Sequence, residues 1–462
     1  MSRLNVYLYL ACLVASLGGF LFGFDTAVIS GTVGFVEKYY SLSKLQLGWF
    51  TGSALIGCIL GAVVSGKMSD LFGRKPVLIF SGVLFFLSAL GAAYPIDFTL
   101  LIVARVVGGI GVGMASVAAP LYISEFAPPK YRGRMVALYQ LSIVTGIIVA
   151  YLSNWLILDK SQTGAFSSTL FTELFVQNPW KGMFGVGTLP AILFTLLMLF
   201  APETPRWLII NRKEEKGRKV LNSIMPASEL EHTFAEIKAG QIKEKVAIKE
   251  LLAPGIRKAL FIGIALSVFG QLTGVNIVVY YGPSILEKAG LNIGGALQYQ
   301  VALGIINFVF TVISMFIIDR FGRRPLLVGG MAMVAVTLLL SGFFFLFKAS
   351  AMAIIIVLGL YMAFVAVSIC AVIWVLTPEI FPNRLRGQAM SVATFFNWTS
   401  NALAAIIFPW VVALIGIDIV FFVFAAICTV GVIIFYRSVP ETKGRSLEEI
   451  ENFWEVGKSA VS

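Results

Sequence analysis

Long apolar runs dominate this sequence, and short polar connections separate them. Twelve such runs can be drawn, at 6–31, 46–66, 76–94, 99–123, 134–157, 182–201, 258–286, 297–318, 325–347, 352–378, 387–415 and 418–437. Each is close to or above the ~20 residues that an α-helix needs to cross a bilayer, and none alternates over about 10 residues like a barrel strand. The pattern predicts an all-α membrane protein with twelve transmembrane helices.

Composition agrees with this prediction. Hydrophobic residues make up 58% of the chain and charged residues 13%, whereas an ordinary globular domain has about 25% charged residues. The net charge of +11 is carried mainly by alternate connections and the termini, as the positive-inside rule describes. We therefore expect both termini and the connection 203–257 in the cytoplasm, and no nucleic-acid partner.

The connection 203–257 divides the runs into six and six. It is charged, with apolar residues at helical spacing, so we expect short amphipathic helices beside the membrane domain; a plain linker is the alternative. The resulting organisation is an N-terminal half at 1–202, a cytoplasmic helical linker at 203–257, a C-terminal half at 258–437 and a cytoplasmic tail at 438–462.

Three motifs occur once in each half. DLFGRKP at 70–76 returns as DRFGRRP at 319–325, SEFAPPKYRG at 124–133 returns as PEIFPNRLRG at 378–387, and PETPR at 202–206 returns as PETKG at 440–444. A six-helix unit has therefore been duplicated in the same orientation. Parallel repeats of this kind are a transporter architecture with a substrate site near the midplane.

With these motifs the chain resembles the sugar porters of the major facilitator superfamily. The family includes the animal glucose facilitators and the bacterial proton-coupled xylose, arabinose and galactose symporters. GKMSDLFGRK, RVVGGIGVG, PETPRW, QLTGVN, DRFGRR, EIFPNRLRG, NWTSN and VPETKG occur in the family's order over nearly the whole chain. The resemblance implies a major facilitator fold, import of a pentose or hexose by alternating access, and a plasma-membrane location, the inner membrane in a bacterium. We expect a functional monomer.

The repeated polar motifs have a physical reading of their own. Glycines at 66 and 73 allow a tight turn, and Asp70 with Arg74 and Lys75 sets opposite charges at helix ends. The basic members could simply anchor topology. The resemblance implies more, namely salt bridges that hold the cytoplasmic side closed. The predicted gate residues are Asp70, Arg74, Glu125, Arg132, Glu203, Arg206, Asp319, Arg323, Glu379, Arg386 and Glu441.

A sugar offers several hydroxyls and an apolar ring face, so its site needs amides and aromatic surfaces. Such residues lie inside the apolar runs, although amides there could equally join helices. The substrate-binding candidates are Phe24, Gln140, Gln271, Asn276, Tyr280, Tyr281, Asn307, Trp374, Asn397, Trp398 and Asn401. The resemblance assigns sugar-contacting positions to Gln140, Gln271, Asn276, Asn307, Trp374, Asn397 and Trp398.

Two positions depart from the family pattern. Many relatives carry paired glutamines in the seventh run, where this chain has Gly270 before Gln271. The Gly-Pro-rich stretch that often precedes the tryptophan of the tenth run is SICAVIW, residues 368–374, in this chain. We expect one sugar hydrogen bond fewer and a tenth helix that breaks less readily.

Asp25 lies in the middle of the first apolar run, within GGFLFGFDTAVISG. An isolated carboxylate in a bilayer costs several kcal/mol, so it must be protonated, paired or in an aqueous cavity. Arg105 in the fourth run is the available partner. A static salt bridge is one alternative. The resemblance favours proton symport, because the symporters carry Asp and Arg at these positions whereas the facilitators have Asn in place of the Asp.

Other functions stay open at this stage. A uniporter, a proton-coupled cyclitol transporter such as one for inositol, a multidrug antiporter and a transport-inactive sugar receptor share the architecture. Na⁺ could replace the proton, although one carboxylate beside an arginine is a poor cation site. The sequence contains no metal-ligand cluster, phosphate-binding loop or nucleophile–base set. We therefore expect no enzyme activity, no metal and no cofactor, with H⁺ as the coupling ion.

Overall fold

A computed structural model describes residues 3–164, 172–239, 248–253, 256–381 and 385–443. The described residues form helices and connections, with no β-strand among them. Twelve helical segments are long and apolar enough to cross a membrane. The predicted fold class is confirmed.

The first half of the chain begins with five long helices. They are α1 (Arg3–Tyr40), α2 (Lys44–Phe72), α3 (Arg74–Ala93), α4 (Phe98–Phe126) and α5 (Pro129–Thr163). A π-helical turn follows at Glu173–Gln177, and α6 (Pro179–Val186) and α7 (Thr188–Phe200) together form the sixth span. Three short helices come next, α8 (Pro205–Ile210), α9 (Glu214–Ile224) and α10 (Ala227–Ala239). The predicted short helices of the connection are thereby confirmed.

The second half begins with a 3₁₀ turn at Ile248–Leu252. Its helices are α11 (Ile256–Leu272), α12 (Val275–Lys288), α13 (Ile293–Phe321), α14 (Arg323–Leu346), α15 (Ala351–Val365), α16 (Ala371–Ile380), α17 (Arg386–Ile415) and α18 (Ile417–Ser438). A π-helical turn, Ala366–Cys370, joins α15 to α16, so the tenth span stays helical over Ala351–Ile380. This continuity agrees with the expectation drawn from SICAVIW.

The chain divides into two compact units. The first unit comprises Met1–Thr32 and Ser53–Glu244, and the second comprises Val33–Gly52 and Lys245–Ser462. The end of α1 and the start of α2 therefore belong to the second unit. There, Gly48 lies so close to α17 that a Cβ on it would come within 1.8 Å of the Ile406 carbonyl oxygen.

Glycines bring α2 and α4 together in the first unit. Gly57 and Gly61 on α2 are four residues apart, as are Gly109 and Gly113 on α4. A Cβ on Gly109 would come within 1.9 Å of the Ala54 carbonyl oxygen. Lipid gives helices no hydrophobic reason to associate, so close backbone approach through small residues drives their packing. GGIGVG at 108–113 is therefore a packing motif, as its place in a span predicts.

The seventh span is interrupted in the second unit. α11 ends at Leu272 and α12 begins at Val275, with Gly274 between them at φ +84°. This left-handed conformation favours glycine. The Tyr361 hydroxyl donates to the Thr273 carbonyl at 2.9 Å, which satisfies a backbone group at the break. The interruption lies inside QLTGVN and sets Gln271 and Asn276 on either side of a break in the helix.

Candidate functional site

The first unit carries an ion pair in its membrane-spanning part. Arg105 Nη1 on α4 donates to Asp25 Oδ1 on α1 at 2.6 Å. The arginine side chain is 2% exposed and the carboxylate 14% exposed. The pairing predicted for these two residues is present, and the small opening on the carboxylate side leaves Asp25 the more accessible partner.

Two further features define the surroundings of this pair. The Phe184 ring of α6 lies 5.3 Å from Arg105 Cζ, which is a cation–π distance. Gly108 leaves room beside the pair, since a Cβ on it would meet Ser88 Oγ at 2.3 Å and approach Asp25 Oδ1 to 3.8 Å. Sequence analysis missed Phe184, because one phenylalanine of 38 in the chain carries no local signal.

The second unit carries neutral amides where the first carries charge. Gln271 Nε2 donates to Asn397 Oδ1 at 2.8 Å, and Asn276 Nδ2 donates to Gln271 Oε1 at 2.6 Å. The central Gln271 thus links the broken seventh span to α17. All three residues are substrate-binding candidates, and they form one connected chain of amides whose remaining N–H and C=O positions can bond a hydroxylated ligand.

Two tyrosines follow on α12. Tyr280 shares a hydrogen bond of 3.0 Å with Asn401 Nδ2, so this pair of candidates is also brought together. Tyr281 is buried and its hydroxyl donates to the Ala405 carbonyl at 2.9 Å. Because that bond occupies the hydroxyl donor, Tyr281 serves to fasten α12 to α17 in this structure.

The remaining candidates have few polar partners. Gln140 and Asn307 make no side-chain hydrogen bond within the described ranges, so their amides retain capacity for a ligand. Trp374 is 48% exposed, whereas Phe24 and Trp398 are buried. Substrate contact by these residues stays a prediction.

The repeated motifs form a compact network in the first unit. Arg74 lies 3.0 Å from Glu125 and 3.2 Å from Asp70. Thr204 Oγ1 donates to Glu125 Oε2 at 2.9 Å, which occupies the second oxygen of that carboxylate. The three motifs, far apart in sequence, therefore meet at one helix end.

Glu203 caps the N-terminus of α3. Its two carboxylate oxygens accept the backbone N–H groups of Arg74 at 3.2 Å and Lys75 at 3.1 Å. Gly73 permits this in two ways, because its φ is +102° and because a Cβ would lie 2.2 Å from Glu203 Oε2. Burial raises the pKa of Glu203, and the amide donors only partly offset that rise.

The second unit repeats the arginine–glutamate pair, the threonine bond and the glutamate cap of the first. Arg323 lies 3.1 Å from Glu379, and Thr442 Oγ1 donates to Glu379 Oε2 at 2.6 Å. Glu441 accepts the backbone N–H groups of Arg323 at 3.0 Å and Arg324 at 3.1 Å. Gly322 precedes them at φ +91°. The duplication seen in the sequence thus preserves a hydrogen-bonded cluster as well as a motif.

Two predicted gate residues, Arg132 and Arg206, form no ion pair with this network among the described residues. Arg132 is exposed and Arg206 is half-buried. Arg386 donates to the Phe381 carbonyl at 3.3 Å. The side chain of Asp319 lies outside the described residues.

Three members of the network were missed by sequence analysis. Thr204 and Thr442 bind the central glutamates, and Trp207 Nε1 donates to the Asp70 carbonyl at 3.0 Å. The sequence did contain a signal for the two threonines, because PETPR at 202–206 and PETKG at 440–444 both begin with Pro-Glu-Thr.

Comparisons with known proteins agree with these features. The family profile described as "Sugar (and other) transporter" matches residues 11–454. The arabinose-proton symporter of Bacillus subtilis (strain 168) is 37% identical over 451 residues, covering 97% of this chain and 95% of that protein. The D-xylose-proton symporter of Escherichia coli (strain K12) is 34% identical over 481 residues, covering 97% and 96%. The major myo-inositol transporter IolT of Bacillus subtilis is 36% identical over 449 residues, covering 95% and 92%.

A solved structure gives the same result. The partially occluded inward-open structure of the xylose transporter XylE from E. coli matches with a TM-score of 0.83 at 32% identity, covering 96% of this chain and 100% of that chain. Family, fold and buried polar clusters agree that the chain is a multi-pass membrane transporter and not an enzyme. This chain belongs to the sugar porter family of the major facilitator superfamily.

Proposed function

We propose that this chain imports a monosaccharide by proton symport, with Asp25 as the group that carries the proton. The observation that carries the proposal is the buried ion pair between Arg105 and Asp25, at 2.6 Å. A buried pair contributes little net stability compared with a well-packed apolar pair, so stability alone gives weak reason to keep it in a membrane span. The need for a group that gains and loses a proton is a better reason to keep a carboxylate there.

The surroundings support release of Arg105 from Asp25, because the guanidinium contacts both Asp25 and the Phe184 ring in this structure. While Asp25 is ionised, the guanidinium is paired with it. Once a proton neutralises Asp25, the strongest attraction on Arg105 is lost, and the Phe184 ring at 5.3 Å offers a cation–π contact to the released guanidinium. The proton enters with the sugar from the outside and leaves to the cytoplasm, and re-ionised Asp25 pairs again with Arg105.

We propose that the amides of the second unit bind the sugar. Gln271, Asn276 and Asn397 are already hydrogen-bonded to one another, so a sugar hydroxyl meets donors and acceptors that need little reorganisation. All are neutral, which suits an uncharged polyol. The relatives are named for arabinose, xylose and myo-inositol. We favour a pentose, because the pentose symporters include the 37% identical relative.

The test is uptake into liposomes that contain the purified protein. An inward proton gradient is imposed, and labelled arabinose, xylose, glucose and myo-inositol are followed with and without a protonophore. We expect one pentose to accumulate above its outside concentration and the protonophore to abolish that accumulation. Asp25→Asn should remove accumulation while sugar exchange between the two sides continues.

The opposite result is equally clear. Equilibration without accumulation, unchanged by Asp25→Asn, would identify a uniporter and leave Asp25 as a structural partner of Arg105. Accumulation driven by a Na⁺ gradient alone would refute the proton as coupling ion.

A further inference from the structure

A cleft with a volume of about 370 Å³ lies in the first unit, outside the ion pair and the amide cluster. Its walls come from the end of α2, the start of α3 and the short helices α8 and α9. Phe72, Lys75, Glu203, Trp207, Lys213 and Lys216 are among the residues that line it. The volume falls within the range of ~300 to 1,000 Å³ that is typical of small-ligand sites.

The lining is basic. Three lysines, Lys75, Lys213 and Lys216, line the cleft with one carboxylate, that of Glu203, whose two oxygens already accept N–H groups of the α3 N-terminus. Lys213 Nζ lies 4.6 Å from the centre of the Trp207 ring, and Trp207 is held by its own bond to the Asp70 carbonyl. Lys216 is exposed, with no ion pair among the described residues. Two ammonium groups are therefore available to an anion.

The cleft lies at the level where membrane-spanning helices end. α2 ends at Phe72, α3 begins at Arg74 and α7 ends at Phe200. Lys75 Nζ donates to the Leu199 carbonyl at 2.8 Å, which fixes the ammonium beside the end of α7. Phe72 is 58% exposed and Phe200 is 86% exposed. We expect phenylalanines this exposed at the ends of two apolar spans to face lipid, and we therefore place the basic groups at headgroup depth.

We propose that this cleft binds the phosphate of an anionic phospholipid such as phosphatidylglycerol. Lys213 and Lys216 contact the phosphate, and the acyl chains run along Phe72 and Phe200. A soluble phosphate ester offers the same anion, but it has no acyl chains to contact the exposed aromatic side chains. Because α9 carries Lys216, and α8 connects α9 to the segment that holds the Glu203 cap, the lipid would join the short helices to the network of the first unit.

The test measures lipid binding to the full-length protein in detergent. Native mass spectrometry counts bound lipid during a titration with phosphatidylglycerol, and the melting temperature is recorded in parallel. We expect Lys216→Gln to weaken phosphatidylglycerol binding about fivefold, as loss of one basic residue near a membrane surface predicts, and Lys213→Gln/Lys216→Gln roughly 25-fold. Lys213→Arg/Lys216→Arg keeps the charge and should retain binding.

A matched control uses charge loss elsewhere. Lys219 lies on α9 and Lys258 on α11; both are exposed and neither lines the cleft. Lys219→Gln/Lys258→Gln removes the same charge and should bind phosphatidylglycerol like the wild type. If the control variant lost phosphatidylglycerol binding to the same extent, the effect would be one of net charge alone, and the proposed site would be wrong.

Further ligands distinguish a lipid phosphate from a soluble phosphate. Glycerol 3-phosphate should leave the melting temperature unchanged; stabilisation lost in Lys213→Gln/Lys216→Gln would make the ligand a soluble phosphate and overturn the lipid. Phosphatidylethanolamine and phosphatidylcholine should bind more weakly than phosphatidylglycerol in the wild type. Equal binding of all three lipids would overturn the role of the lysines.

Discussion

The two units carry different polar chemistry inside the membrane although they descend from one repeated motif set. The first unit has an ion pair, Asp25 with Arg105, and the second has linked amides around Gln271. At the helix ends the units are alike, with Glu203 and Glu441 in equivalent caps. Under the proposed function, the first unit responds to the proton and the second binds the sugar hydroxyls, while both keep the same structure at their helix ends.

The largest effect is expected when the carboxylate of Asp25, in the first unit, loses its partner. Arg105→Met strands a buried carboxylate, and removing one member of a buried pair costs about 3 to 5 kcal/mol. We expect that loss in the free energy of unfolding, measured by titrating mixed micelles with denaturing detergent. Asp25→Asn/Arg105→Met should recover much of the stability without restoring uphill transport. Wild-type stability in Arg105→Met would contradict a paired, desolvated carboxylate.

Helix packing offers the next largest effect. A Cβ on Gly109 in the first unit meets the Ala54 backbone, whereas a Cβ on Gly359 in the second meets the flexible end of Ile306 at 3.1 Å. We expect Gly109→Ala to lower the free energy of unfolding by about 1 to 3 kcal/mol, as overpacking does. Gly359→Ala is its control and should stay within about 0.5 kcal/mol of the wild type. Equal losses in the two variants would show that the close backbone approach is not what matters.

Removing amides of the second unit tests its role in the same comparison. Gln271→Ala and Asn397→Ala should each weaken sugar binding about tenfold, since one hydrogen bond to an uncharged partner is worth ~1 kcal/mol or somewhat more. Accumulation at saturating sugar should survive, because the ion pair is untouched. Equilibrium binding of labelled sugar measures the affinity, and liposome uptake measures the coupling.

A buried amide outside the candidate set provides the control for these variants. Gln300 donates to the Val278 carbonyl at 3.1 Å and is buried in the second unit. Gln300→Leu should change the melting temperature and leave sugar affinity as it is. Loss of affinity in Gln300→Leu to the same extent would mean that any damage to this unit weakens binding.

The smallest effect is expected at the shared caps. Glu203→Gln replaces one carboxylate oxygen by an NH₂ group that faces a backbone N–H, so we expect a loss of about 1 kcal/mol, as for other helix caps. Glu441→Gln should cost a similar amount if the caps are equivalent. Thermal unfolding of the two variants side by side measures this, and a large difference between them would refute the likeness of the helix ends.

The Glu203 cap also predicts a pH dependence. Burial raises the pKa of Glu203 in the folded chain above that of an unfolded carboxyl. Between these two values the folded state binds more protons than the unfolded state, so the free energy of unfolding falls as pH rises through that interval. Glu203→Gln should flatten this part of the stability profile. An unchanged profile in the variant would assign the slope to other groups.

Much of the fold could be predicted from the sequence. The length of the apolar runs gives the spans, because a helix has a fixed rise and the bilayer a fixed thickness. The repeated motifs gave the duplication, and the cost of a charge in lipid singled out Asp25 and Arg105 as partners. The amides of QLTGVN and NWTSN were singled out by the same cost, with the family resemblance deciding which could contact sugar.

Other features could not be predicted. The contact of Phe184 with Arg105 joins residues 79 positions apart, and one phenylalanine in an apolar run looks like any other. The sequence around Val33–Gly52 likewise contains no signal that this segment belongs to the second unit. Arg132 belongs to a repeated motif yet forms no ion pair in the described ranges, since a basic residue at a helix end can reach water as readily as a carboxylate.

The sequence by itself determined which segments enter the membrane, that the chain is a duplication, and which polar groups are costly enough there to need a reason. These follow from terms that are local or additive along the chain, namely hydrophobic length, charge and motif repetition. Only the tertiary structure decided that Glu203 and Glu441 cap helices, that Gln271 links Asn276 to Asn397, and that lysines gather around a cleft beside Trp207. Hydrogen bonds and packing depend on distances of a few ångströms between segments remote in sequence, and folding alone sets those distances.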